Sequence, residues 1–86
     1  MKEVVRILKA LGNERRLKIT KLLKENHQMN VGDLGGFLML SFRSTSKHLH
    51  RLKDAGLVES KQIGSAMYYY LSKDIEPTYK TIIDKV

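Results

Sequence analysis

Residues 30–57, NVGDLGGFLMLSFRSTSKHLHRLKDAGL, hold two stretches of helical spacing with a break between them. In the second stretch Thr45, Leu49 and Leu52 recur at intervals of four and three, which puts them on one face of an α-helix. Ser41 stands where an N-cap is needed, because its side-chain oxygen can accept a first-turn N–H that has no partner inside the helix. Gly56 stands where the chain must leave that helix. A helix over 42–55 is expected. Away from its leucine side lie Phe42, Arg43, Ser44, Ser46, Lys47, His50 and Arg51, and Arg43, Ser46, Lys47 and His50 form one stripe. Residues 41–53 carry four basic groups and no acidic one. A cationic stripe mixed with hydroxyls suits a polyanion: Arg and Lys donate to phosphates or guanine edges, and Ser contacts base or backbone.

Upstream, the spacing predicts a short helix over 31–38 with Asn30 as its cap. Gly32, Gly35 and Gly36 lie inside it, and each costs about 0.5–1 kcal/mol against alanine. Such a helix depends on packing, here expected from Val31, Leu34, Phe37 and Leu38. Downstream, strands are expected over 57–62 and 66–71, joined by a tight turn at Gly64–Ser65. The second strand puts Met67, Tyr69 and Leu71 on one face and Tyr68 and Tyr70 on the other. Two helices joined by a tight turn, with a two-stranded ribbon directly after, describe a helix-turn-helix with a wing. The helix over 42–55 would enter the major groove of DNA, which is wide enough for one helix. Lys61 and Gln62, beside the turn, would sit over the adjacent backbone or minor groove, and Ile63 is an apolar residue at the wing tip.

Farther out, Val4, Ile7, Leu8 and Leu11 form an amphipathic stripe over 3–11, with Val5 off it; Gly12 stops this helix and Asn13 caps the next, over 14–25. Residues 26–30 read as a loop. A last helix over about 75–86 shows Ile75, Tyr79, Ile82, Ile83 and Val86 on one face, with Pro77 in its first turn. The expected fold is mainly α with a two-stranded β-hairpin, a winged helix-turn-helix in one domain over 1–86. A chain of 86 residues has little core to spare, so a homodimer is expected. Its contact face would combine Val4, Val5 and Leu8 with Tyr79, Ile82, Ile83 and Val86; the alternative is that these faces complete the chain's own core. Arg16, with Arg15 and Lys18, would touch phosphates from the start of the second helix.

Net charge is +7, which favours polyanionic partners. The absence of cysteine excludes disulfides, thiolate zinc sites and cysteine nucleophiles. Of the three histidines, His27 falls in the loop, while His48 and His50 are two apart on a helix and do not converge on an ion; no metal site and no cofactor are expected. Ser46, His50 and Asp54 have the residue types of a triad, but one stripe on an exposed helix supplies no pocket with oxyanion donors, so no enzyme is expected. The tyrosines could stack on single-stranded bases, but aromatic residues in a short strand more often pack, Tyr69 inward. No apolar run reaches membrane-span length, and Arg6 and Lys9 interrupt any signal-peptide core; a cytoplasmic location is expected.

LKALGNERRLKITKLL (8–23) resembles the opening helix pair of the ArsR-type (arsenic-repressor-like) winged-helix regulators. SFRSTSKHLHRLKDAGLVESKQIGSAMYYYL (41–71) resembles their recognition helix and wing, with SKHL (46–49), LKDAGLV (52–58), Gly64 and Tyr69 at matching positions. The resemblance spans about residues 4–72. It implies a homodimeric repressor of a promoter operator, with the first and last helices as the dimer face. Where the family's metal sensors place a cysteine pair, this sequence has Asn30 and Gly32, which cannot ligate a soft metal ion. Where another branch uses Asp and His on the last helix, this one has Asp74, Glu76 and Asp84 but no histidine. The competing expectation is a winged-helix interaction or assembly module without specific DNA binding, since one fold hosts many functions.

Overall fold

The computed structural model describes all 86 residues. Its elements are, in order, α1 (Lys2–Leu11), α2 (Glu14–Asn26), β1 (Met29–Asn30), α3 (Val31–Leu38), α4 (Phe42–Asp54), β2 (Val58–Ile63), β3 (Ala66–Leu71) and α5 (Pro77–Asp84).

Caps set most of the helix starts. The side chains of Asn13, Asn30 and Ser41 accept from the N–H of Arg16, Asp33 and Ser44 at 3.1, 2.8 and 3.0 Å. In each case a donor orphaned by the first helical turn is satisfied locally. Glu76 does the same for Thr78 at α5. That helix begins at Pro77 rather than near 75, because the residue before a proline is disfavoured in the helical region. Ile75 instead packs against the core from outside the helix.

The sheet has three strands, ordered β1-β3-β2, all antiparallel. The hairpin pairs Val58 with Leu71 through to Ile63 with Ala66, and Gly64 makes the turn at φ 62°, a left-handed conformation glycine adopts freely. The third strand is β1, where a loop was expected: Met29 and Asn30 pair with Tyr69 and Tyr68. Two residues are too few to show an alternation, so only the partner strand reveals them.

One cluster of buried side chains joins all five helices to the sheet. Ile7, Ala10 and Leu11 come from α1, Ile19 and Leu23 from α2, Val31 and Leu34 from α3, Leu49 and Leu52 from α4, Tyr69 from β3 and Ile83 from α5. Thr20 and Thr45 are the polar members, and each hydroxyl donates to the carbonyl four residues earlier, on Arg16 and Ser41. Neither therefore carries an unpaired buried group.

The glycine-rich α3 is explained by its closeness to α4. A Cβ on Gly35 would lie 3.0 Å from both the Leu40 carbonyl oxygen and the Thr45 hydroxyl, so a side chain there would press on both and the neighbours would have to give way. Met39 turns the chain between them at φ 55°. Phe37, expected to hold α3 in place, is instead 70% exposed, and Val31 and Leu34 do the anchoring.

Candidate nucleic-acid interface

The inner face of α4 is closed: Thr45, Leu49 and Leu52 have no exposure. Because helical side chains three and four apart share a face, this burial turns the rest of the helix outward. Phe42, Arg43, Lys47, His50 and Arg51 are exposed, and Ser44 and Ser46 are half buried. The chain's one ion pair joins Lys18 to Glu14 on α2, so no carboxylate neutralises the cations of α4. What results is an uncompensated positive ridge carrying hydroxyls and one aromatic ring.

The wing is tied to the base of this ridge. Lys53, near the end of α4, donates from Nζ to the Ser60 hydroxyl on β2 at 2.7 Å. Lys61 and Gln62 are exposed beyond it. The Lys61 ammonium lies 5.5 Å from the centre of the Tyr70 ring across the hairpin, a cation–π contact that holds it near the sheet. Ile63 is 46% exposed at the tip. Lys53 did not stand out in the sequence, since its link to Ser60 depends on how the hairpin folds back.

Two of the expected contact residues are engaged within the chain itself. Arg16 is half buried. Its guanidinium donates to the carbonyls of Ala10 at 2.7 Å and Lys9 at 3.0 Å, the last carbonyls of α1, and meets Nδ1 of His48 at 3.3 Å. Those carbonyls have no partner within α1, and a cation suits the negative end of the helix dipole. Burial, and then Arg51, lower the Arg16 pKa, and Arg16 still carries its proton at any ordinary pH. His48 is half buried, and its pKa is lowered by burial first and then by Arg16, Arg15 and Arg51, so the neutral ring is favoured. The second is Ile83, expected at the dimer face but 2% exposed and part of the chain's own core. Val4, Val5, Leu8 and Ile82 remain 42, 41, 52 and 39% exposed, while Tyr79 and Val86 are half buried.

A cleft of about 630 Å³ lies between α2, the hairpin and α5, and Lys24, among its lining residues, donates to the carbonyls of Ile83, Asp84 and Val86. No group of three or more His, Cys, Asp or Glu side chains is placed to hold a metal ion. No helix is long and apolar enough to cross a membrane.

The sequence profile of the bacterial regulatory protein, arsR family, matches residues 13–60. The chain belongs to the arsR family. Transcriptional activator HlyU of Vibrio cholerae is 40% identical over 70 residues, covering 81% of this chain and 64% of that protein. The cadmium resistance transcriptional regulatory protein CadC of Listeria innocua is 36% identical over 63 residues, covering 73% of this chain and 53% of that one. The chain thus spans between about half and two thirds of these relatives' length. The fold agrees. The structure of V. cholerae HlyU superposes with a TM-score of 0.83 at 36% identity, over 98% of this chain and 87% of that one. The homodimeric winged helix-turn-helix DNA-binding domain Mb0332 of Mycobacterium bovis, a possible ArsR-family regulator, superposes at 0.84 with 28% identity, over 98% and 74%. The arsR-family match covers α2 through the start of β2 and includes the whole of α4.

Proposed function

We propose that this arsR-family protein is a cytoplasmic homodimer that binds operator DNA and represses transcription by obstructing the promoter. One observation carries the reading: α4 buries Thr45, Leu49 and Leu52 while presenting Arg43, Lys47, His50 and Arg51 to solvent with no acidic group among residues 41–53. A helix in the major groove can reach base edges with its first residues and phosphates with its flanks. Phe42, Arg43, Ser44, Ser46, Lys47 and His50 read the groove, Arg51 lies toward the backbone, and Lys61 and Gln62 brace the wing against the neighbouring strand. Arg16 is engaged with the end of α1 and is not counted among these contacts.

Val4, Val5 and Leu8 on α1, with Ile82, Tyr79 and Val86 at α5, supply the dimer contact. Four of these apolar residues are more than a third exposed in the single chain. A two-fold dimer reads two half-sites about one helical turn apart. The names of relatives include an activator as well as resistance regulators; steric repression is the simplest consequence of a domain that occupies duplex DNA.

The test is selection of bound duplexes from a randomised pool, followed by titration of the best duplex at several salt concentrations. Affinity is expected to fall steeply with salt as counterions are released. Lys47→Glu is expected to weaken binding at least about tenfold, in line with loss of a groove contact and introduction of a like charge beside phosphate. Unchanged affinity in Lys47→Glu, or flow-through from heparin at low salt, would favour the interaction-module alternative.

A further inference from the structure

Phe42 is 67% exposed at the start of α4, and Met39, in the turn before it, is 93% exposed. Phe42 is the first residue of the helix, directly after the Ser41 cap, and its ring belongs neither to the core nor to the residues packed against it. One turn on from it is Ser46, and the exposed cations Arg43 and Lys47 stand on the same helix. Whatever covers this ring must therefore bring negative charge for the cations and an apolar group for the ring. An apolar protein surface supplies only the second and would strand Arg43 and Lys47 without carboxylates. Duplex DNA supplies both, since the thymine C5-methyl is the apolar group displayed on the major-groove edges, flanked by phosphates.

We infer that Phe42 recognises the 5-methyl group of thymine in the major groove. This rests on the duplex-DNA reading above and deepens it. The first residues of a recognition helix reach the base edges, and a phenyl ring has no donor or acceptor to exchange with them. Its selectivity is for shape and apolarity, so that position of the half-site is thymine because of its methyl and not because of a hydrogen bond. The hydroxyls and cations that follow along α4 supply the hydrogen-bonded contacts. The local fold suits this role, because the Ser41 cap and the buried Thr45 fix the backbone of the first turn that carries the ring.

The experiment uses the duplex selected by the wild-type protein and a second duplex in which deoxyuridine replaces thymidine, one position at a time. Uracil keeps the base pairing and removes only the methyl. The wild type is expected to lose about 3- to 10-fold in affinity at one thymine per half-site, as burial of one methyl implies. Phe42→Ala is expected to bind the thymine duplex as weakly as the wild type binds the uracil duplex, with no further loss on uracil. Phe42→Leu, which keeps an apolar group, is expected to retain part of the preference. Equal affinity of the wild type for thymine and uracil duplexes overturns the methyl contact while leaving DNA binding intact, and so does a Phe42→Ala protein that still discriminates between them. If the wild type retains no duplex even at low salt, the DNA reading fails and this inference fails with it.

Discussion

The beginning of α2 and the body of α4 look alike in one dimension. The first carries Arg15, Arg16 and Lys18, the second Arg43, Lys47 and Arg51, and both are strongly basic helical stretches. In three dimensions they differ. Lys18 pairs with Glu14 at 3.4 Å, and Arg16 turns inward to close the last carbonyls of α1 and meet His48. The cations of α4 have no acidic partner and stay in solvent. The contrast teaches that positive charge is interface only where nothing inside the molecule has already taken it. Arg16 has what α4's arginines lack: a helix end within reach whose carbonyls need donors.

The comparison can be broken most severely from the inner side of α4. Leu49→Ala removes a fully buried side chain beneath the ridge, and urea unfolding is expected to show a loss of about 2–5 kcal/mol. If the loss is negligible, α4 is not anchored by its leucine face and its outward orientation is in doubt. Arg16→Ala is expected to cost about 1.5–3 kcal/mol, since charge-assisted hydrogen bonds are lost and two helix-end carbonyls need new partners. Its salt dependence of DNA binding should not change. Lys47→Ala is expected to do the reverse: stability within about 0.5 kcal/mol of wild type, but affinity for duplex DNA at least about fivefold lower, as loss of a groove contact implies. Should Arg16→Ala weaken DNA binding in a fully folded protein while Lys47→Ala does not, the two regions have been assigned the wrong way round.

The smallest expected effect is a pH dependence that belongs to the inward-facing region. His48 is held neutral by burial and by the positive charges of Arg16, Arg15 and Arg51. Above the ordinary imidazole value the ring is neutral in both folded and unfolded chains, and the residue adds no pH dependence. As pH falls through that value the unfolded chain takes up the proton first, so stability declines until the folded chain is protonated as well. His48→Gln is expected to flatten this part of a melting-temperature profile measured from neutral pH downward. An unchanged slope would place the titration elsewhere.

The features that were legible before folding are those written in neighbouring residues. Asn13, Asn30 and Ser41 each cap the helix that starts at the next residue by accepting the N–H three residues on, and the interval of Thr45, Leu49 and Leu52 sets which way α4 faces. Gly64 marks the hairpin turn because its conformation is open to few other residues. The features that were not legible depend on partners far along the chain. Met29 and Asn30 are a strand only because Tyr69 and Tyr68 lie beside them. Phe37 has the helical spacing of a core residue and is nonetheless exposed, since spacing cannot say whether a neighbour stands opposite. Ile82 and Ile83 are adjacent and equally apolar, yet only Ile83 enters the core.

By itself, then, the order of residues determined the helices, their caps, the wing turn and the polarity of α4, because hydrogen bonds and side-chain faces three or four residues apart are local properties of the chain. Tertiary structure alone decided which cations are free, which isoleucine is buried, why Gly35 is crowded and that the sheet has a third strand. Each of those depends on a group brought near by packing from a distant part of the chain, and distance along the sequence carries no record of it.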